Sequence, residues 1–158
     1  MAEVTGGYNK TINFRDSYRE IDFLADKIEK WSSALKNDLT DEMTIGVNQI
    51  RNIIIKSMQG TDKDTTKFYI RGGKKHFPSR EGNPPAIDTG NLLRSILVDS
   101  KSLSVEVGSI QKNPPYGSYL EFGTDRMEKR PWLQPAVDGQ KDDISQRLIN
   151  RLAREFES

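Results

Sequence analysis

Residues 116–136 have the sequence YGSYLEFGTDRMEKRPWLQPA, the most distinctive stretch of the chain and the one that separates its strands from its last helix. Tyr116, Tyr119 and Leu120 share one face of a short helical turn. Gly123 ends that turn, because glycine enters left-handed backbone conformations without a Cβ clash. The stretch therefore predicts a short helix that is followed by a loop.

The second half of this stretch predicts a fixed loop with an aromatic anchor. Pro131 restricts Arg130 to extended conformations and sets the approach of Trp132, whose indole we expect to be buried with its N–H bonded. Glu121 lies between two apolar residues. We therefore expect it to be partly buried and paired with Arg126 or Arg130. Two interpretations stay open. All of these residues could form the core of one domain, or some of them could contact a neighbouring subunit.

Proline is confined to the middle of the chain, since all seven prolines lie between Pro78 and Pro135. Because proline breaks helices and favours turns, helical flanks should surround a middle of strands and loops. We predict an α+β fold in a single domain, with helices packed on a small, mainly antiparallel sheet. The expected segments are a flexible tail, a helical region, strands with loops, and a C-terminal helix: residues 1–16, 17–59, 60–135 and 136–158.

The N-terminal helical region carries two apolar stripes with the three- and four-residue spacing of an amphipathic helix. Their members are Ile21, Leu24, Ile28, Trp31 and Leu35, followed by Met43, Val47, Ile50, Ile54 and Met58. Leu39 keeps the phase between the stripes, so one interpretation is a single long helix that reaches onto a neighbouring subunit. Asn37, Asp38 and Thr40 are good N-cap residues, so the other is a pair of antiparallel helices.

A basic hairpin is predicted over Lys67–Phe77, because Gly72-Gly73 suits a two-residue turn between short strands. The segment 67–80 has no acidic residue and five basic ones: Lys67, Arg71, Lys74, Lys75 and Arg80. Basic groups interleaved with aromatic rings can bind a nucleic-acid backbone and stack on bases. Lysines at a hairpin tip can also serve only to prevent aggregation. A contact with DNA or a partner and this structural role both stay open.

A polar loop follows the basic hairpin. Residues 79–88 contain two adjacent prolines and several charged residues, so we expect this loop to be mobile in the isolated subunit. Asp88 or Thr89 can then cap a short helix that begins near Asn91.

A second hairpin is predicted after this helix. Ile96–Val98 and Leu103–Ile110 should pair across a turn formed by residues 99–102. In the return strand, apolar residues alternate with polar residues and glycine, which is the two-residue period of a half-buried strand. The residues expected to face inward are Leu103, Val105 and Val107.

The composition excludes several kinds of catalytic site. The chain has no cysteine, which removes disulfides, thiolate nucleophiles and cysteine metal ligands, and His76 is its one histidine. It contains no nucleophile elbow, phosphate-binding loop or dinucleotide-binding motif. We therefore expect no cofactor, no metal and no enzymatic activity.

Charge and hydropathy also limit the partners. With 24 basic and 23 acidic residues the net charge is +1, so no overall field attracts the protein to nucleic acid or to a membrane. The longest apolar runs are far shorter than the roughly 20 residues of a membrane-spanning helix. Hydrophobic residues make up only 34% of the chain. That content fits disordered segments, long solvated helices or a subunit that packs on its neighbours. We expect a soluble, intracellular protein with no membrane contact.

Four segments in fixed order resemble a family of tailed-bacteriophage proteins. They are DTGNLLRSI at 88–96, VGS at 107–109, YGSYLEFGT at 116–124 and RPWLQPA at 130–136. The family comprises minor tail, tail-completion and head–tail joining (neck) proteins, related to minor tail protein Z of long-tailed phages. The matching residues are Thr89, Gly90, Leu92, Ser95, Ile96, Val107, Gly108, Ser109, Tyr116, Tyr119, Glu121, Phe122, Gly123, Thr124, Arg130, Pro131, Trp132, Leu133, Pro135 and Ala136. Family members often have phenylalanine where Trp132 stands, which keeps an aromatic anchor.

The resemblance implies a structural virion protein that acts by assembly. Identical subunits would form a ring, six-fold where it follows the symmetry of the tail, that completes the tail end or joins the tail to the head. The implied partners are the tail tube, the tail terminator and the head connector. The implied location is the virion, after synthesis in the cytoplasm of the bacterial host. The alternative from the residues alone is a nucleic-acid-binding module that uses the 67–80 hairpin, and a small hydrolase ranks last.

Overall fold

The computed structural model of the protein describes residues 14–110 and 115–157, so the predicted tail lies outside the described residues as far as residue 13. The helices are α1 (Phe14–Gly60), α2 (Asn91–Ser95), α3 (Tyr116–Phe122), α4 (Gln134–Asp138) and α5 (Lys141–Glu157). The strands are β1 (Tyr69–Arg71), β2 (Lys74–His76), β3 (Ile96–Lys101) and β4 (Ser104–Ser109). This combination of helices and antiparallel strands confirms the predicted α+β class.

The chain divides into two compact units, residues 1–35 and residues 36–158. In the first unit the described residues all belong to α1, and those from Ile21 to Trp31 are exposed. The second unit contains the remainder of α1 together with the other helices and both hairpins.

Of the two interpretations of the N-terminal region, the structure shows the continuous helix. α1 is 47 residues long and begins three residues before the predicted start at Ser17. The hydroxyl of Thr40, a candidate N-cap, instead donates a hydrogen bond to the carbonyl of Lys36 at 2.8 Å and accepts one from the Leu103 amide at 3.0 Å. These bonds satisfy the hydroxyl inside the helix, so it does not compete for the backbone and end the helix.

The core of the second unit forms around the last turns of α1. Ile50, Ile54 and Met58 are buried on one face of this helix, as the second apolar stripe predicts. They pack with buried residues from α2, β3, α3 and the chain around α4: Leu92, Ile96, Leu120, Trp132 and Ala136. Each large apolar side chain buried in this way contributes about 1.5–3 kcal/mol to stability. The sequence between α2 and α4 therefore supplies the surface that α1 covers.

α1 and α5 approach each other closely at Gly46. A Cβ atom at this position would lie 2.7 Å from Cγ1 of Ile144 in α5, closer than two carbon atoms can pack. An ion pair between Asp38 and Arg151 joins the same two helices. A glycine in the middle of a helix is costly for the backbone, and here it is what permits the helix contact.

The two hairpins form separate two-stranded antiparallel sheets rather than the one small sheet that was predicted. In the first, β1 pairs with β2 so that Tyr69 lies opposite His76. Gly72 and Gly73 form the turn with φ values of 55° and 73°, as a two-residue hairpin turn of this kind requires. The predicted basic hairpin is confirmed.

The strands of the second hairpin differ from the prediction, since β3 is longer than Ile96–Val98 and β4 is shorter than Leu103–Ile110. β3 and β4 pair from Ile96 opposite Ser109 to Lys101 opposite Ser104, so the turn is shorter than residues 99–102. Leu103 therefore lies in the turn with a φ of 54° and is exposed, and its prediction as an inward residue is wrong. The alternation itself is confirmed, since the two valines of β4 are partly buried while its glutamate is exposed.

The predicted C-terminal helix over 136–158 is two helices. α4 ends at Asp138 and α5 begins at Lys141. The amide of Gln140 bonds to the carbonyl of Val137 at 3.0 Å, a three-residue bond that tightens the end of α4. Gly139 stands at the break, where its poor helix propensity favours an interruption of the helix.

Candidate functional site

The residues that carry the family resemblance lie in the second unit, and their side chains range from buried through partly buried to exposed. The buried members are Leu92, Ser95, Ile96, Glu121, Arg130, Trp132 and Ala136. The exposed members include Thr89, Tyr116, Tyr119, Phe122 and Thr124. The first group builds the scaffold, and the second is available to meet another molecule.

Glu121 joins α3 to the start of α4. Its side chain is 8% exposed, and its Oε2 accepts hydrogen bonds from the backbone amides of Trp132 at 2.8 Å and Leu133 at 2.9 Å. Its Oε1 accepts a third from the amide of Gln134 at 3.0 Å. The first amides of a helix have no partner within it, so this carboxylate replaces the side-chain cap that α4 lacks. We call Glu121 with these three amides the Glu121 junction.

The predicted pairing of Glu121 with Arg126 or Arg130 is wrong. Arg130 is buried too, but its Nε donates to the carbonyl of Ser79 at 3.1 Å and its Nη1 to the carbonyl of Glu128 at 3.3 Å. Both oxygens of Glu121 are already occupied by amides that converge at a helix start. The arginine instead ties the loop before α4 to the segment after the basic hairpin.

Trp132 is a core residue, which is one of the two interpretations that the sequence left open. It is 4% exposed, and its indole Nε1 donates to the carbonyl of Gly117 at 2.9 Å. A Cβ atom on Gly117 would lie 3.3 Å from the indole and 3.3 Å from Leu92, so the glycine makes room for both. For Trp132, the interpretation as one domain's core is confirmed.

The loop after α3 has a conformation that requires Gly123. This residue has a φ of 79°, and a Cβ there would lie 2.9 Å from the carbonyl oxygen of Met127. The backbones of Thr124 and Met127 exchange hydrogen bonds of 2.8 and 3.1 Å. Gly123 therefore starts a tight turn that brings the chain back toward α3, where Pro131 and Trp132 follow.

The start of α2 differs from its prediction. Gly90, with a φ of 73°, occupies the N-cap position rather than Asp88 or Thr89. The Thr89 hydroxyl is 3.4 Å from the amide of Asn91, a long contact, and Asp88 is bonded elsewhere. A glycine suits this position because it alone adopts the left-handed conformation at little cost.

Two serines of the resemblance connect α2 to β4. The hydroxyls of Ser95 and Ser109 are hydrogen-bonded at 2.8 Å, and Ser95 Oγ also donates to the carbonyl of Leu92 at 2.7 Å. The T-G-x-L-x-x-S-I segment is therefore joined to the V-G-S segment, 14 residues later in the sequence.

The basic residues of segment 67–80 are all exposed: Lys67, Arg71, Lys74, Lys75 and Arg80. Two of them already have anionic partners. Lys67 Nζ is 2.6 Å from a carboxylate oxygen of Glu81, and Arg71 Nη2 is 2.7 Å from one of Asp88. A phosphate would have to compete with these carboxylates, so the charge available to a nucleic acid is smaller than the sequence suggests.

Asp88 contacts three side chains of the basic hairpin, a cluster that the sequence did not predict. Its Oδ1 lies 2.5 Å from Nδ1 of His76, and its Oδ2 accepts hydrogen bonds from Arg71 at 2.7 Å and Tyr69 at 3.2 Å. The hairpin register could have indicated this, because it places Tyr69, Arg71 and His76 on one face. Asp88 thus fastens the basic hairpin to the loop before α2.

These contacts determine how Asp88 titrates. Partial burial raises the pKa of the Asp88 carboxyl, but hydrogen bonds from His76 and Tyr69 and the charge of Arg71 outweigh it and lower that pKa below its usual range. A lowered carboxyl pKa contributes stability above the unfolded-state value, about pH 4, and this contribution disappears as the pH falls through the folded-state value.

We expect Asp88→Asn to weaken the attachment of the hairpin, because the neutral asparagine side chain attracts the three donor groups less strongly than the negatively charged carboxylate does. Amide hydrogen exchange in residues 69–76 should become faster at neutral pH, whereas in the unaltered protein this loss should occur only in acid below about pH 4. Asp99→Asn, which removes an exposed carboxylate paired with Lys101 in the other hairpin, is the matched control. Unchanged exchange in Asp88→Asn would show that the hairpin is held by other contacts.

A cleft of about 390 Å³ lies next to Asp88. Its apolar lining includes Met58, Leu92 and Leu120, and its charged lining residues are Arg71 and Asp88. These two charges are bonded to each other, and the lining also includes polar side chains such as Thr89 and Asn91, so the cleft offers a mixture of polar and apolar surface. His76 and Asp88 form a pair of the kind that orients a catalytic imidazole, but the adjacent hydroxyl of Tyr69 bonds to Asp88 rather than to the ring.

No protein-family model, curated protein or solved structure matches this chain. Over residues 14–110 and 115–157, none of the helices is long and apolar enough to span a membrane. In the same ranges, no three histidine, aspartate or glutamate side chains are grouped as they would be around a metal ion.

Proposed function

We propose that this chain is a structural subunit of a long-tailed bacteriophage virion. It completes the end of the tail or joins the tail to the head, and it does so by binding neighbouring subunits rather than by catalysis. Its partners are the tail tube, the tail terminator or the head connector, and copies of itself.

The Glu121 junction is the observation that carries this proposal. The family resemblance depends on the spacing between E-F-G-T and R-P-W-L, and the three bonds of Glu121 make that spacing a physical requirement. One residue more or fewer in the loop would move the amides away from the carboxylate. The positive φ of Gly123 and the buried indole of Trp132 depend on the same spacing. The resemblance thus covers a folded unit rather than scattered identities.

The exposed members of the resemblance support a role in assembly. Phe122 is 81% exposed, and Tyr116 and Tyr119 on the same helix are also exposed. These rings contribute little to the core of the second unit. Exposed apolar surface of this kind is typical of a surface that meets another protein.

Deleting the gene from the phage or prophage that encodes it tests the proposal. We expect electron microscopy of the lysate to show filled heads and separate tails, and plaques to return when the chain is supplied in trans. Phe122→Asp should fold but fail to restore plaques. Ile149→Asp, an equally polar change at an exposed position of α5, should restore them. Intact, infectious particles from the deletion strain would refute the proposal.

The nucleic-acid alternative predicts a different result. A hairpin that binds phosphates gives an affinity for DNA that falls steeply with salt, and each phosphate contact adds about one unit to the log–log slope. Under the proposed function, replacing Lys74 and Lys75 with alanine should leave any weak DNA binding and its salt dependence unchanged. Tight binding that these two changes abolish would favour the alternative.

A further inference from the structure

Arg130 is a buried charge without an acidic partner. The residue is 8% exposed, and its guanidinium donates to two backbone carbonyls, those of Ser79 and Glu128. None of the ion pairs within residues 14–110 and 115–157 involves it. Burying a charge is costly unless a counter-charge accompanies it. The position of Arg130 therefore indicates an anion that these parts of the chain do not supply.

Two acids near Arg130 already have other partners. Hydrogen bonding and charge from Lys67 lower the pKa of the Glu81 carboxyl, and the charge of Arg130 makes a smaller contribution in the same direction. The Glu81 carboxylate is 2.6 Å from the ammonium of Lys67. Asp88 is bonded to three side chains of the basic hairpin. Neither acid is available to neutralise Arg130.

Arg130 lines a second cavity, of about 310 Å³, which we call the Arg130 cavity. Arg126 lines it as well, and its exposed guanidinium is in none of the ion pairs of the described ranges. The apolar and aromatic part of the lining includes Tyr69, Phe77, Pro85, Leu120 and Met127. A cavity of this size with a mostly apolar wall and a few convergent polar groups is typical of a site for a small ligand.

The hydroxyl of Ser79 is a third unpartnered group at this cavity. Ser79 lines the cavity and is 2% exposed, and its Oγ is shielded from water with no hydrogen-bond partner in the part of the chain that the structure describes. Its carbonyl accepts the bond from Arg130, so the two residues are neighbours. Buried hydroxyls in proteins are nearly always hydrogen-bonded. An acceptor that binds beside Arg130 would give this one a partner.

We propose that the Arg130 cavity binds a carboxylate attached to an aromatic or aliphatic group. Guanidinium groups hold carboxylate oxygens through charge-assisted hydrogen bonds, so Arg126 and Arg130 would bind the acid while the apolar wall covers the rest of the ligand. A singly charged carboxylate suits the cavity better than a phosphate, because Asp88 in the lining repels a second negative charge. The ligand is a small organic acid or the carboxyl-terminal residue of another protein.

Methionine methyl NMR of the full chain gives a local readout of binding. Met127 lines the Arg130 cavity, Met58 lines the neighbouring cleft, and Met43 lines neither. With hydrocinnamate as the probe, we expect the Met127 signal to shift and saturate at millimolar concentrations while that of Met43 stays in place. Hydrocinnamamide has the same shape without the charge, and it should bind at least about ten-fold more weakly.

Two variants test the groups that hold the carboxylate. Arg126→Gln removes an exposed guanidinium and should weaken hydrocinnamate binding about ten-fold. Arg154→Gln makes the same change at an exposed position of α5 and should leave binding unaltered. Ser79→Ala should weaken binding about three-fold without lowering the urea midpoint of unfolding, because the hydroxyl that it removes has no partner in the described chain.

A second probe separates the two sources of the ligand. Acetyl-glycyl-phenylalanine with a free carboxyl terminus should bind more tightly than hydrocinnamate if the site takes the end of a protein chain, and more weakly if it takes a small acid. The proposal is overturned if neither acid saturates the Met127 shift or if Met58 shifts in its place. Equal binding of hydrocinnamate and its amide, or binding that Arg126→Gln leaves intact, would also overturn it. None of these results bears on the deletion-strain test of the proposed function.

Discussion

Replacing Trp132 with alanine is expected to lower the free energy of unfolding by about 3–5 kcal/mol, the usual cost of truncating a buried aromatic side chain. The indole is almost fully buried in the cluster that includes Ile54, Ile96 and Leu120, and its N–H bonds to the carbonyl of Gly117. Alanine would leave a cavity and an unpaired carbonyl in the same place. Urea denaturation of the purified protein, followed by circular dichroism, measures the loss.

Two further variants separate packing from exposure. Trp132→Phe keeps an aromatic ring and should lose less, about 1–3 kcal/mol, because only part of the volume and one hydrogen bond are removed. Tyr119→Ala removes an exposed ring of α3 and should change stability little. A Trp132→Ala protein as stable as Tyr119→Ala would contradict a core role for the indole.

The Glu121 junction should give the second large effect. In Glu121→Ala the three amides at the start of α4 lose a charged acceptor, and each unpaired buried donor costs about 1–3 kcal/mol. We expect a loss of about 3 kcal/mol or more in the free energy of unfolding, again from urea denaturation. Glu121→Gln keeps the shape of the side chain but loses its charge, and its NH2 group, a donor, faces a backbone N–H that is also a donor. Its free energy of unfolding should therefore lie between those of the unaltered protein and Glu121→Ala.

Glu128→Ala is the matched control for the junction, since Glu128 is an exposed acid in the loop that precedes α4. Its loss should stay within about 0.5 kcal/mol. If Glu121→Ala and Glu128→Ala were equally stable, the Glu121 carboxylate would not stabilise the start of α4. The spacing between E-F-G-T and R-P-W-L would then not be a physical requirement.

Local patterns in the sequence predicted the elements whose cause is local. The two helical stripes, the glycine pair in the first hairpin and the alternation in β4 all appear in the structure, because periodicity and turn chemistry act over a few residues. Whether α1 would break near Thr40 was not predictable, since the hydroxyl that could have capped a helix found partners at Lys36 and at Leu103, 63 residues away. The predicted bounds of the C-terminal helix were wrong for a local reason, because Gly139, a poor helix former, lay inside the expected span.

Contacts between residues distant in the sequence determine which partners Glu121 and His76 have in the candidate site. Charge alone favoured an arginine as the partner of Glu121, whereas the actual partners are backbone amides that the turn at Gly123 brings within reach. Backbone groups leave no mark in a residue pattern. The carboxylate beside His76 was not predictable either, because Asp88 reaches the ring from a loop 12 residues later in the sequence. Gly46 is a signal that could have been used, since a glycine inside a helical stripe indicates close packing.

The most direct test of the structural-subunit proposal is the position of the chain in the particle. Electron microscopy of purified virions that carry a gold-labelled tag on this chain should show gold at the head–tail junction or at the end of the tail. Virions that carry no gold, or gold spread over the head with the packaged DNA, would contradict the proposal that this chain completes or joins the tail.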